Sequence, residues 1–118
     1  MTYLILSILV LLAGCAEGAA DGLAFHNHST NKFWGENSWT NKYKDHNPSK
    51  GKTFIGKYFV FLTDGWHLLK LINHLCMFSA IGVSALVPAP SHWYEYVLIG
   101  VGCWGLRGLG FTIVYNRF

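Results

Sequence analysis

Asp21, His26, Asp64 and His67 are the residues whose types could do chemistry in this chain. Two carboxylates and two imidazoles suit a borderline divalent metal such as zinc, and a site that keeps one position open activates a bound water. Without a metal the same groups form an acid/base set, because imidazole changes charge near neutral pH. Asp64 and His67 are the candidate catalytic pair, and Asp21 and His26 would complete the metal ligands. The spacing is unspecific: Asp64-x-x-His67 is a bare i, i+3 pair, and no HExxH signature occurs.

The elements that must hold these groups are greasy. Only 13% of the 118 residues are charged and mean hydropathy is +0.28, whereas soluble domains carry about a quarter charged residues. The composition therefore predicts an all-α integral membrane protein, one domain in length. Residues 3–24 are almost wholly apolar and match the ~20 residues a span requires. Leu12-Ala13-Gly14-Cys15 has the form of a lipobox, but no Lys or Arg precedes the apolar run as a secretory signal demands, so the segment reads as a span. Residues 26–53 turn polar, with Pro48 and Gly51 as breakers, and read as a loop. The next apolar stretch is too long for one perpendicular span. It divides into a short interfacial helix over 54–62 and a second span over 64–87, ended by Pro88 and Pro90. Trp93, Tyr94 and Tyr96 form an aromatic belt on the third span, 91–114. Cys15, Cys76 and Cys103 all lie in apolar stretches and offer neither a disulfide framework nor a zinc-finger spacing.

Lysine placement sets the expected orientation. Lys32, Lys42, Lys44, Lys50 and Lys52 crowd the first loop, while the Pro88 turn has no Lys or Arg. The positive-inside rule then puts the loop in the cytoplasm of a bacterial inner membrane, with the N-terminus outside and the C-terminus inside. Lys42, Lys44 and Trp39 are the candidate headgroup-binding residues, since lysines near an anionic surface gain ~1 kcal/mol each. The net charge of +3 is too small for a nucleic-acid partner.

Ionisable residues within spans are costly and should face protein. At about 100° per residue, Asp64, His67, Lys70 and His74 share one face of the second span. Glu17, Asp21 and His28 share a face of the first, and Tyr96, Gly100, Cys103 and Arg107 line up on the third. Depth brings Glu17, His74 and Arg107 to one level, with Asp21, His67 and Lys70 nearer the loop. The expected result is a buried polar shaft open to the cytoplasm and sealed by apolar halves on the far side. Three readings of it stay open: a metal or acid/base site, a proton or ion path, and a structural set in which Glu17 pairs with Arg107, Lys70 snorkels and the histidines bond backbone carbonyls. Gly102, Gly105 and Gly108 form a flat face expected to pack within the chain, with self-association as the alternative.

Ser38-Trp-Thr-Asn-Lys-Tyr-Lys44 followed by Phe59-Val-Phe-Leu-Thr-Asp-Gly-Trp-His67 resembles a group of small uncharacterised integral membrane proteins of bacteria and phages with the pattern SWxNKYK and FVFLTDxWH. Ala20-Asp-Gly-Leu-Ala-Phe-His26 is similar to the end of their first helix, so the likeness runs over residues 16–80. It implies that Asp21, His26, Trp39, Lys42, Lys44, Asp64 and His67 belong to one shared pattern, and it implies no particular activity. The functional expectation is a metal- or acid/base-dependent site acting on inner-leaflet headgroups. The alternatives are a homo-oligomer or a small subunit of a larger membrane assembly, without catalysis, or an ion path.

Overall fold

The computed structural model describes residues 1–25 and 40–117, whose regular structure is helical, with one isolated antiparallel bridge between Tyr43 and Lys52. The elements are α1 (Thr2–Phe25), α2 (Phe54–Tyr58), α3 (Gly65–Ser84) and α4 (Trp93–Tyr115). Three of them, α1, α3 and α4, are long and apolar enough to cross a bilayer. Their bounds depart from the expected spans at the Pro88 turn. The last turn of α3 stops at Ser84 and tightens into bonds from Leu86 N–H to the Val83 carbonyl and from Val87 N–H to the Ser84 carbonyl. A residue that precedes proline is pushed out of the α region, so Val87 is not available to continue the helix. At the other side α4 starts at Trp93, where the Glu95 carboxylate reaches back to Ser91 N–H at 2.9 Å in the manner of a capping box.

The helix packed from both sides is α1, with α3 against one flank and α4 against the other. Its sequence explains why. Ala13, Ala16 and Ala20 are buried, and Gly14 and Gly18 carry no side chain to hold a neighbour away. A Cβ on Gly18 would stand 2.5 Å from the Phe111 carbonyl oxygen, and one on Gly14 would be 2.9 Å from the Arg107 carbonyl carbon. Gly110 answers from α4, where an added Cβ would be 3.0 Å from the Cys15 nitrogen. The contact is thus backbone to backbone, the arrangement small residues permit between helices in lipid. It corrects the expectation for Gly102, Gly105 and Gly108, whose Cβ positions meet nothing within 4 Å. Those three point away from α1 because the close approach is set by Gly110 and by the Arg107 and Phe111 backbones. Away from the loop, Leu6, Val10 and Ala80 form the apolar core, with Leu9, Val83, Cys103 and Leu106 against it.

The described part of the loop is folded onto α2. Lys42 offers its carbonyl to Thr53 N–H at 2.9 Å, Lys44 N–H donates to the Gly51 carbonyl at 3.0 Å, and Asp45 pairs with Lys50 at 3.0 Å. Positive φ at Asp45, His46 and Gly51 closes this hairpin. Thr53 caps α2 by accepting from Gly56 N–H at 2.9 Å. Gly56 is buried against the Lys42 backbone, which leaves Phe54, Ile55 and Tyr58 exposed.

Candidate functional site

Asp64 is placed by its role as a cap. With extended backbone (φ −158°, ψ 159°) it ends the preceding turn, and its Oδ1 accepts from His67 N–H at 2.9 Å. The other oxygen, Oδ2, lies 2.6 Å from His67 Nδ1. One carboxylate therefore starts α3 and fixes the imidazole three residues on. The Asp64 side chain is 5% exposed and that of His67 24%, so the carboxylate is shielded while the ring reaches the surface. Trp66 stands edge-on to the ring at 4.9 Å between centroids and supports its plane. With Nδ1 engaged by the carboxylate, the neutral tautomer carries its proton there and leaves Nε2 as the basic nitrogen.

Asp21 does not join this pair. Its Oδ1 is 3.0 Å from Lys70 Nζ, and that ammonium also lies 5.6 Å from the Trp66 ring centroid. One turn earlier on α1, Glu17 Oε2 is paired with Arg107 of α4. Two carboxylates four residues apart are thus each matched to a cation, one from α3 and one from α4. His74 stays apart from this level: it is exposed, and its Nδ1 is 2.6 Å from the Lys70 carbonyl. The correction is rotational. α1 packs on the face of α3 that holds Asn73 and Ala80, and His74 is turned about 100° from Asn73. Asn73 is a buried polar residue that its type alone did not single out, and its Oδ1 has no partner among the described residues. An amide amid mostly apolar neighbours at 71–80 is the signal in the sequence that points to it.

Among the described residues no set of three or more His, Cys, Asp and Glu side chains comes together to hold a metal ion. Of the four expected ligands, Asp64 and His67 are joined, Asp21 is held by Lys70, and His26 lies outside the described residues, as does Trp39. Lys42 and Lys44 flank the hairpin near the start of α3. Asn41 Nδ2 donates to the Thr63 carbonyl at 2.9 Å, which ties this basic segment to the residue before Asp64. Asn41 is a second residue whose positioning role its type alone did not disclose. A groove of about 330 Å³ runs beside the ion pairs, lined by Glu17, Asp21, Trp104, Arg107, Gly108 and Phe111.

Comparison with family models, curated proteins and solved structures finds no match to this chain.

Proposed function

We propose that this chain is an inner-membrane protein in which Asp64 and His67 act as an acid/base pair on phosphate-bearing headgroups, with Lys42 and Lys44 drawing the headgroup to the site. The observation that carries the reading is the double use of the Asp64 carboxylate, which caps α3 through Oδ1 and holds His67 Nδ1 through Oδ2 at 2.6 Å. A carboxylate so placed fixes the tautomer and stabilises the imidazolium that forms when Nε2 takes a proton. A positioned base of this kind supplies about 10²- to 10⁴-fold. In this reading the loop faces the cytoplasm, as its lysines direct.

The test is conversion of phospholipids by the chain in nanodiscs, followed by mass spectrometry of lipid products. Wild type should form product, and His67→Gln, which cannot take the proton, should be slower by at least about a hundredfold. Absence of product with wild type, or equal rates for the two, would reject the reading.

A metal-dependent form of the same site has one observation in its favour. Nδ1 held by a carboxylate with Nε2 outward is the arrangement of many metal-bound histidines. In that form His26 would have to supply a further ligand, because Asp21 is already paired with Lys70. Zinc should then raise the thermal midpoint of wild type and leave His67→Ala unmoved.

A further inference from the structure

The loop-side end of the molecule keeps an apolar surface that its own fold does not cover. Gly56 is the one buried residue of α2, turned against the Lys42 backbone. The side chains around it point outward: Phe54 is 70% exposed, Tyr58 60% and Leu62 57%, with Ile55 and Phe59 exposed as well. The rings are not scattered. Phe54 stands 5.1 Å from Tyr58 and 6.2 Å from Phe59, and Phe59 is 6.2 Å from Phe61, centroid to centroid. They form one aromatic patch that runs from α2 into the turn Val60–Leu62. A contiguous apolar patch left open by a fold marks a contact with a protein partner or with a membrane.

Charge and position select between these two. Residues 40–63 hold five lysines and a single carboxylate, Asp45. Lys50 takes that carboxylate, and Lys42, Lys44, Lys52 and Lys57 have no acidic partner among the described residues. The Lys57 ammonium lies 5.2 Å from the Tyr58 ring centroid, so a cation is held directly on the patch. Protein interfaces are depleted in lysine, whereas rings beside lysines suit the boundary of an anionic leaflet, rings toward the acyl chains and ammonium groups at the phosphates. The patch is also tied to that level. Only Thr63 and Asp64 separate it from α3, which is long and apolar enough to cross a bilayer.

We propose that the hairpin and α2 form a binding surface for anionic phospholipid in the loop-side leaflet. Phe54, Ile55, Tyr58, Phe59 and Leu62 sink below the phosphates, and Lys52 and Lys57 pair with phosphate oxygens. The ligand is a lipid of the bilayer, since the rings need acyl chains as much as the lysines need an anion. The inference does not rest on turnover by Asp64 and His67. It concerns where lipid is held, and neither measurement below reads a product.

The first measurement is the depth of a nitroxide on the full chain in vesicles of phosphatidylcholine and phosphatidylglycerol, with Cys15, Cys76 and Cys103 replaced by alanine and circular dichroism checking the fold. A label at Tyr58→Cys should meet oxygen and be shielded from an aqueous nickel chelate, at about 5–10 Å below the phosphates. A label at Ser49→Cys, on the exposed hairpin, should behave in the opposite way. Nickel access at position 58 would place the patch in water, and shielding there from both probes would place it against protein; either result overturns the proposal. The second measurement leaves the native cysteines in place and compares spin-labelled phosphatidylglycerol with spin-labelled phosphatidylcholine for the fraction held by the chain. Wild type should favour phosphatidylglycerol by about fivefold, the attraction of roughly one lysine for an anionic surface. Lys52→Gln combined with Lys57→Gln should lose at least about half of that preference. Equal retention of the two lipids by wild type, or a double variant with the full preference, would also overturn the proposal.

Discussion

Gly14→Ala should unfold this protein more readily than any single methyl added to the outer side of α4. The reason is distance. A Cβ on Gly14 would overlap the Arg107 carbonyl, 2.9 Å from its carbon and 3.1 Å from its Cα, and all of these are backbone atoms that move only with the whole helix. At Gly18 the corresponding Cβ would be 2.5 Å from the Phe111 oxygen, about 1 Å short of ordinary contact. Overpacking of this type costs ~1–3 kcal/mol, against up to ~1 kcal/mol gained from the better helix propensity of alanine. Gly18→Ala should therefore lose about 1–2 kcal/mol. Gly14→Ala should lose about 3 kcal/mol, because pushing the Arg107 backbone outward also draws its guanidinium from Glu17. Gly102→Ala meets nothing and should be neutral or gain a few tenths of a kcal/mol. Thermal unfolding in mild detergent, followed by circular dichroism, reads the three together. At roughly 4 °C per kcal/mol for a chain of this size, Gly14→Ala should fall by about 12 °C and Gly102→Ala hardly move. Equal midpoints for Gly14→Ala and Gly102→Ala would show that α1 and α4 do not meet at this seam.

Removing one partner of the Glu17–Arg107 pair should cost about 2–3 kcal/mol, below the ~3–5 of a fully buried pair because both side chains are partly exposed. Glu17→Gln combined with Arg107→Met should recover at least half of that, and a double mutant no better than the singles would mean the groups do not interact. Asp64→Asn keeps an N-cap and should change stability by less than ~1 kcal/mol. The same substitution should cut headgroup turnover by at least about a hundredfold, since a neutral amide does not stabilise an imidazolium; full turnover would remove Asp64 from the acid/base pair. A cysteine placed at Lys44 should resist a membrane-impermeant thiol reagent in intact cells and react after lysis. Labelling in intact cells would reverse the orientation.

Much of the fold is legible in the sequence because length and hydropathy decide it. The apolar runs at 3–24, 64–87 and 91–114 correspond to α1, α3 and α4, and Thr63-Asp64-Gly65 marks the break before α3, with Asp64 as its cap. Helix ends shifted by a few residues where proline geometry acts on the preceding residue, as at Val87. The site is less legible. Asp64 and His67 meet because they are three apart on one helix, a local fact that spacing carries. Which cation meets Asp21 depends on how α3 is rotated against α1, and no spacing within α3 fixes that. The same rotation turns His74 outward and Asn73 inward. Glycine usage misled for a related reason: three open glycines on α4 look like a packing face, but the tight seam is made where Gly14 and Gly18 meet the α4 backbone.

These placements share one physical origin. A helix packed on both sides must be narrow, so α1 is built from alanine and glycine along the faces its neighbours occupy. Residues that small bury little area, and the far half of the chain compensates with Leu6 and Val10 in the apolar core. In the near half no such cluster of buried apolar side chains forms among the described residues, and there the helices are joined by Asp21 to Lys70 and Glu17 to Arg107. The Glu17–Arg107 pair lies eight residues, about 12 Å, from the loop-side ends of α1 and α4, a depth at which pairing offsets the cost of a charge if these helices cross a bilayer. The side chains of the two pairs are 25–37% exposed, and Glu17, Asp21 and Arg107 line the groove beside α4. Polar joints on the loop side and an apolar clasp on the other thus follow from one demand, the close packing of α1 between two helices, and the Asp64–His67 pair stands at the open end of that gradient.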